Sequence, residues 1–209
     1  MPTALPASTL GLFFALLAFI AGYHFSGQVE IRSLNSHDLP EDDEIFNFGP
    51  AKVRGASTFH RTPLSLAFVN KKPVVEGHVL VVPRRAVARL EELEEKEVTD
   101  LFLLVQRVDA FLQKHYGVDS TTISIQSESL NSNNCETYSS SLSDGAGAGQ
   151  TIPHLHVHIL PRRPGDFSQN DDVYTRLAEH DKEKGGWRGE AAMADEAAEL
   201  REAWLKLMS

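Results

Sequence analysis

Sulfur chemistry is nearly absent from this chain. One cysteine, Cys135, stands among 209 residues, so no intramolecular disulfide can form, and a reducing compartment is the expected setting. Positive charge is also short. Twenty Lys and Arg face 29 Asp and Glu, a formal net charge of -9. That balance excludes general affinity for nucleic acid, which needs clustered cations against phosphate. It leaves room for a small phosphorylated ligand held in one pocket. No internal repeat is present. A membrane-length hydrophobic run is missing as well. The apolar stretch Leu10–Ala21, broken by Gly11, falls short of the ~20 residues of a spanning helix. Extension through Tyr23 brings it closer, but no Lys or Arg precedes it as in a signal peptide. Two readings stand: an anchor through residues 10–23, or an unpacked extension or misplaced gene start. Residues 26–45 are polar and acidic and read as a linker, which sets an N-terminal segment 1–45 apart from a domain 46–209.

What is present from Phe46 onward is globular in pattern, with 42% hydrophobic residues over the whole chain. Leu64–Asn70 reads as a buried strand and Lys71-Lys72-Pro73 as a turn. A second strand spans His78–Val82, opened by Gly77 and closed by Pro83. Leu93, Leu101, Leu104, Val105, Val108, Phe111 and Leu112 recur at helical spacing and predict one long helix over Leu90–Tyr116, with Gly117 at the C′ position. Thr121–Gln126 alternates as a strand does. Ser127–Gly149 is rich in Ser, Asn and Gly and reads as loop. His154–Leu160 is a further strand, and Glu190–Met208 an amphipathic helix. Short strands around one long helix predict an α+β domain with a mostly antiparallel sheet.

The chemistry concentrates in His154-Leu155-His156-Val157-His158-Ile159-Leu160-Pro161. Strand side chains alternate, so three imidazoles share one face while Leu155, Val157 and Ile159 face a core. Burying three imidazoles without partners is costly. One reading is a solvent-exposed polar face. A second is a zinc site, since imidazoles at i and i+2 can share a metal, although no further carboxylate or Cys stands out as a ligand. A third is phosphoryl or nucleotidyl transfer by an imidazole nucleophile.

This pattern, His-φ-His-φ-His-φ-φ-Pro with φ apolar, resembles the histidine-triad (HIT) signature. Leu66–Pro83, Ala148–Thr151, Pro161–Tyr174 and His180–Glu183 are similar to the fragile-histidine-triad (Fhit-like) branch, which contains the bis(5′-adenosyl)-triphosphatases. The resemblance implies a HIT-like fold: an antiparallel sheet, one long helix and a C-terminal helix. It implies hydrolysis of dinucleoside polyphosphates, diadenosine triphosphate to AMP and ADP above all, through a covalent nucleotidyl-histidine. His156 takes the nucleophile's position, His154 orients it and His158 bonds the bound phosphate. His78 matches a supporting histidine, and could also be a packed strand-start residue. Asn70 matches a ribose-binding position, and could also be an ordinary turn residue. Gln126 matches a polyphosphate contact, and Gly149-Gln150-Thr151-Ile152 a phosphate-binding segment. Magnesium or manganese would come with the substrate, without a metal site on the protein. A homodimer and a cytoplasmic or nuclear location are expected. Nucleoside phosphoramidase activity and a nucleotide-binding signalling role with little turnover are the alternatives.

Two departures from the pattern stand out. Ala51 occupies a position where relatives often carry a nucleotide-contacting histidine. Seventeen residues, Ser127–Ser143, separate Gln126 from the Asp144-Gly145 turn that follows it at once in close relatives. They form either a flap over the substrate or an intron translated in frame, and cDNA sequencing separates the two. If the insertion is real, Ser143 competes with Gln126 for the position ahead of the turn.

Overall fold

The protein is described here by a computed structural model covering residues 41–127, 142–144, 152–180 and 185–208. The apolar stretch 10–23, the bulk of the 127–143 insertion and Gly149, Gln150 and Thr151 lie outside the described residues. Among the described residues no helix is long and apolar enough to cross a membrane.

Among the described residues, eight strands and three α-helices follow one another. A hairpin of β1 (Ile45–Phe48) and β2 (Ala51–Arg54) comes first. Strands β3 (Thr58–Arg61), β4 (Ser65–Val69) and β5 (Val79–Pro83) follow. Next come the long helix α1 (Glu95–Tyr116), β6 (Ser120–Ser127), β7 (Leu142–Asp144) and the histidine strand β8 (His156–Arg162). Helices α2 (Asp172–His180) and α3 (Glu190–Leu207) complete the fold. Six strands form one sheet in the order β3-β4-β5-β8-β6-β7, antiparallel except for the parallel β6–β7 pair. The α+β architecture is thus the expected one.

Helix α1 starts later than hydrophobic spacing predicts. Leu90–Glu92 makes a separate 3₁₀ turn, and a capping box at Glu94 and Glu97 opens the helix. The Glu97 carboxylate accepts from the Glu94 amide and takes both branches of the Arg85 guanidinium at 2.8 and 2.6 Å. That guanidinium, the leading cause, holds the Glu97 carboxyl down at about 2. The helix stops where Gly117 adopts φ 62°, a left-handed conformation that glycine takes without steric cost.

Each face of the sheet has its own core. On one side Leu101, Leu104, Val108, Phe111 and Leu112 of α1, with Leu200 and Trp204 of α3, pack on Val69, Val79, Val81, Leu155, Val157 and Ile159. On the other side Phe48 and Val53 of the hairpin cover Leu66, Phe68, Leu80 and Val82. Near it, α2 rests Val173 and Leu177 on Leu160. Residues ahead of 46 join this packing: the Gly55 amide donates to the Glu44 carbonyl at 2.7 Å and Arg201 to Asp42 at 3.1 Å. Asp42 and Glu44, of the acidic stretch, are thus bonded to residues of the 46–209 segment.

Gly77, just before His78, has φ 75°, and a Cβ there would lie 2.4 Å from the Tyr116 ring. Gly117 shares the left-handed backbone, but a Cβ there would meet nothing within 4 Å. Gly117→Ala should therefore cost only the backbone term, about 1–2 kcal/mol. Gly77→Ala should cost clearly more by urea unfolding, because the ring must also move. Equal losses would show that the Tyr116 contact does not constrain the turn.

Candidate active site

The period-two alternation of β8 creates the site. Leu155, Val157 and Ile159 are drawn into the helix-side core, so His156 and His158 emerge on the hairpin side. His154 lies just ahead of the strand. All three are buried, at 0, 1 and 1% exposure, which rules out the solvent-exposed reading.

Backbone partners set the protonation of each ring. The Gly49 amide donates to His154 Nδ1 at 3.3 Å, so Nε2 carries the proton and donates to the Pro83 carbonyl at 2.9 Å. Burial, the larger cause, pushes the His154 pKa down, and the bond to Pro83 offsets part of that. His156 Nδ1 donates to the His154 carbonyl at 2.7 Å, which leaves its lone pair on Nε2. The Val74 amide donates to His78 Nδ1 at 3.1 Å. His78 Nε2 must then bear the proton and donate to His158 Nδ1 at 2.8 Å. His158 in turn carries its proton on Nε2. The row therefore alternates in function, with a base at His156 and a donor at His158.

His78 is completely buried at the head of β5. Asn70, at the end of β4, does turn work as well: its Oδ1 accepts the Lys72 amide at 2.8 Å. That bond sets the amide so that Nδ2 lies 3.2 Å from His78 Nε2. In the tautomer set by Val74, this is a packing neighbour and not a donor to the ring. The register of β6 on β8 pairs Gln126 with His156. Strand β7 pairs Ser143 with Gln126 from the far side. Both candidates for the position ahead of the turn thus sit in one row, Gln126 next to β8. Of the phosphate-binding segment, Ile152 is described: it packs on the hairpin core, and its carbonyl accepts the His154 amide at 2.7 Å.

His156 and His158 open into a cavity of about 340 Å³. Its apolar side is built by Phe48, Val53, Phe68, Leu80, Ile152 and Met193, and Asn70 and Ala51 also line it. Such a volume lies at the small end of the range for ligand pockets. Lys52, Arg54, Lys71 and Lys72 line the same cavity against one carboxylate, Glu190, which pairs with Arg54 at 3.2 Å. An acidic chain has concentrated its cations here. The other larger concavity, at Thr121, Arg162 and Tyr174, does not include the histidines. Among the described residues no group of three or more His, Cys, Asp or Glu is arranged to hold a metal ion.

A family profile describing the HIT domain matches residues 52–165. The chain belongs to the histidine-triad family. Within it the chain falls in the Fhit-like branch. It is 47% identical over 173 residues to the nitrilase and fragile histidine triad fusion protein NitFhit of Caenorhabditis elegans, covering 82% of this chain and 35% of that one. It is 40% identical over 154 residues to the bis(5′-adenosyl)-triphosphatase of Dictyostelium discoideum, covering 74% of this chain and 89% of that one. The crystal structure of C. elegans NitFhit superposes with a TM-score of 0.58 at 37% identity, over 78% of this chain and 31% of that one. The chain thus spans about a third of the nematode protein.

Sequence reasoning found the imidazoles, Asn70, Ile152 and the Ala51 position but missed much of the rest of the cavity wall. The hairpin's Phe48, which meets His154 and His156 with ring centroids 5.4 Å away, and Trp187 were not singled out. The Gly-Gly-Trp-Arg run at 185–188 was the available signal for the second.

His154 has an ordinary pKa of 6.5, and its folded value lies below that. Between the two values the unfolded chain binds more protons, so stability rises with pH there. The contribution is complete above about 6.5 and is lost as pH falls toward the folded value. Urea unfolding at stepped pH should show this loss in the wild type and a flatter slope in His154→Gln. An unchanged slope would remove His154 as its source.

Proposed function

We propose that this HIT protein hydrolyses dinucleoside polyphosphates, with diadenosine triphosphate preferred, through a nucleotidyl group held on His156. One observation carries the reading. His156 Nδ1–H is committed to the His154 carbonyl at 2.7 Å, while the ring lines the cavity with its lone pair on Nε2. A neutral imidazole so oriented is a competent nucleophile near pH 7. The name of the Dictyostelium relative supports the substrate class.

In this mechanism one nucleoside occupies the apolar cavity. Nε2 of His156 attacks the α-phosphorus, and the bridging P–O bond breaks with its electron pair leaving on the nucleoside diphosphate. His158 Nε2–H donates to a phosphoryl oxygen as charge develops. Its proton is kept in place by the His78 bond behind it. Water then attacks the phosphorus and gives up a proton to solvent, the P–N bond breaks with its electron pair returning to His156 Nε2, and AMP leaves. Gln126 and the 149–152 segment are assigned to the polyphosphate, and Asn70 to the ribose. A magnesium or manganese ion carried in with the substrate would offset its charge; the imidazoles are engaged with one another and with backbone, so the ion is assigned to the substrate. The reading places the enzyme in the cytoplasm, on the ground of its single cysteine.

A homodimer belongs to the same proposal. Strand β7 pairs with Ile125–Ser127 of β6, so among the described residues the stretch 120–124 offers its outer edge to a partner strand. Sedimentation should give twice the monomer mass; a monomer would refute the assembly. For the chemistry, His156→Ala should lower kcat on diadenosine triphosphate at least about a thousand-fold. Quenching in base should trap α-labelled nucleotide on the wild type as an acid-labile, base-stable phosphoramidate that the variant lacks. Undiminished turnover by the variant would overturn the nucleophile. Nucleotide binding without turnover by the wild type would favour the signalling alternative.

A further inference from the structure

A substrate with two nucleosides poses a spatial problem. The cavity of about 340 Å³ has one apolar recess, and the two reacting histidines open into it. One nucleoside fills such a space, so the second must rest on the rim. Among the described residues the exposed large apolar side chains are Ile45, Phe102, Leu103, Ile123, Trp187, Leu205 and Leu207. Of these, Trp187 lines the cavity. Its ring is 60% exposed, and the Lys71 ammonium lies over it, 4.9 Å from the centroid.

The Trp187 backbone is held in place. Gly185 and Gly186 turn the chain at φ 103° and 72°. Arg188 then ties the segment to the end of β4. Its amide donates to the Lys71 carbonyl at 2.9 Å, its Nη2 to the Asn70 carbonyl at 2.5 Å, and its Nη1 to Glu196. The backbone that carries the indole is therefore anchored, and Trp187 lines the cavity together with Asn70, Lys52, Arg54 and Lys72. An aromatic face next to ammonium groups matches a nucleotide, which pairs a stackable base with phosphate.

We infer that Trp187 and Lys71 form the subsite for the leaving nucleotide: its base stacks on the indole and its phosphates meet the Lys71 ammonium. This rests on the dinucleotide reading above and assigns a specificity residue to it. Substrates whose leaving group has no base would make no use of the subsite.

The test uses two substrates that share the retained nucleoside: diadenosine triphosphate and adenosine 5′-phosphoramidate. Trp187→Ala should raise KM for diadenosine triphosphate about tenfold, the effect of one lost base stack. It should leave kcat and the phosphoramidate reaction unchanged, and Trp187→Phe should recover most of the loss. Equal losses on both substrates would place Trp187 against the retained nucleoside or in a structural role, and no loss on either would remove it from binding; both overturn the inference. A wild type that cleaves neither substrate would instead refute the proposed function. An equilibrium arm is independent of turnover. In a His156→Ala background, diadenosine triphosphate should quench tryptophan fluorescence more strongly than AMP, and Trp187→Phe should abolish the difference. The other of the two tryptophans, Trp204, is 4% exposed in the core. Equal quenching by both ligands would overturn the inference.

Discussion

Leu155, Val157 and Ile159 are wholly buried between the sheet and helices α1 and α3. Each such burial is worth about 1.5–3 kcal/mol, so slipping β8 by one residue would lose several of these contributions at once. The same register that the core enforces turns His156 and His158 the other way, toward the hairpin. Three imidazoles could not be kept there by their own preference for water. They are kept by apolar neighbours; backbone groups of Gly49, Pro83 and His154 itself satisfy His154 and His156, and the Val74 amide sets the His78 ring that bonds His158. Those four partners come from three different loops and one strand end. The tautomers of these rings thus depend on the packing of the whole sheet.

This dependence explains what was legible beforehand. Strict alternation from 154 to 160 and helical spacing from 101 to 112 report burial on one face, a local property of the chain. The positions of β8, β6 and α1 could therefore be read within a few residues. The late start of α1 could not, because Leu90 and Leu93 are apolar and pack on the core without being helical. What ends the pattern there is the Glu97–Glu94–Arg85 arrangement, a tertiary contact with no periodic signature. Helix α2 and strand β3 escape the pattern because, at nine and four residues, they are too short to show a clear period. At the site, His78 and Asn70 were named as candidates with a structural alternative beside each. The structure gives both a structural bond, so the two readings are not exclusive.

The two described ends of the insertion lie in the sheet. Ile125 and Gln126 pair with β8, Gln126 opposite His156, and β7 runs parallel alongside Ile125–Ser127. The returning segment thus rejoins the sheet one strand further out, which leaves the row ahead of the Asp144 turn next to the reacting strand. Ala51 is a change of another kind. It lines the cavity with a methyl group, and the nearby cations Lys52, Arg54, Lys71 and Lys72 are the polar contacts left on that side.

The rim follows from how α3 is anchored. The helix must lay Met193, Ala197, Leu200 and Trp204 on the core, which fixes its axis but not the path of the chain into it. Arg188 fixes that path by bonding two carbonyls at the Asn70–Lys71 turn, and the two preceding glycines supply the left-handed turns that bring it there. Had the role of this segment been only to start a helix, a small polar residue at 187 would have served, and an indole left 60% in water would carry a solvation cost without a packing return. Its place between the Lys71 ammonium and the mouth of the histidine cavity supplies the return when a base lies on it. The bonds that seat α3 on the core and the one exposed aromatic at the cavity thus belong to a single piece of structure, which couples the stability of the C-terminal helix to the shape of the site.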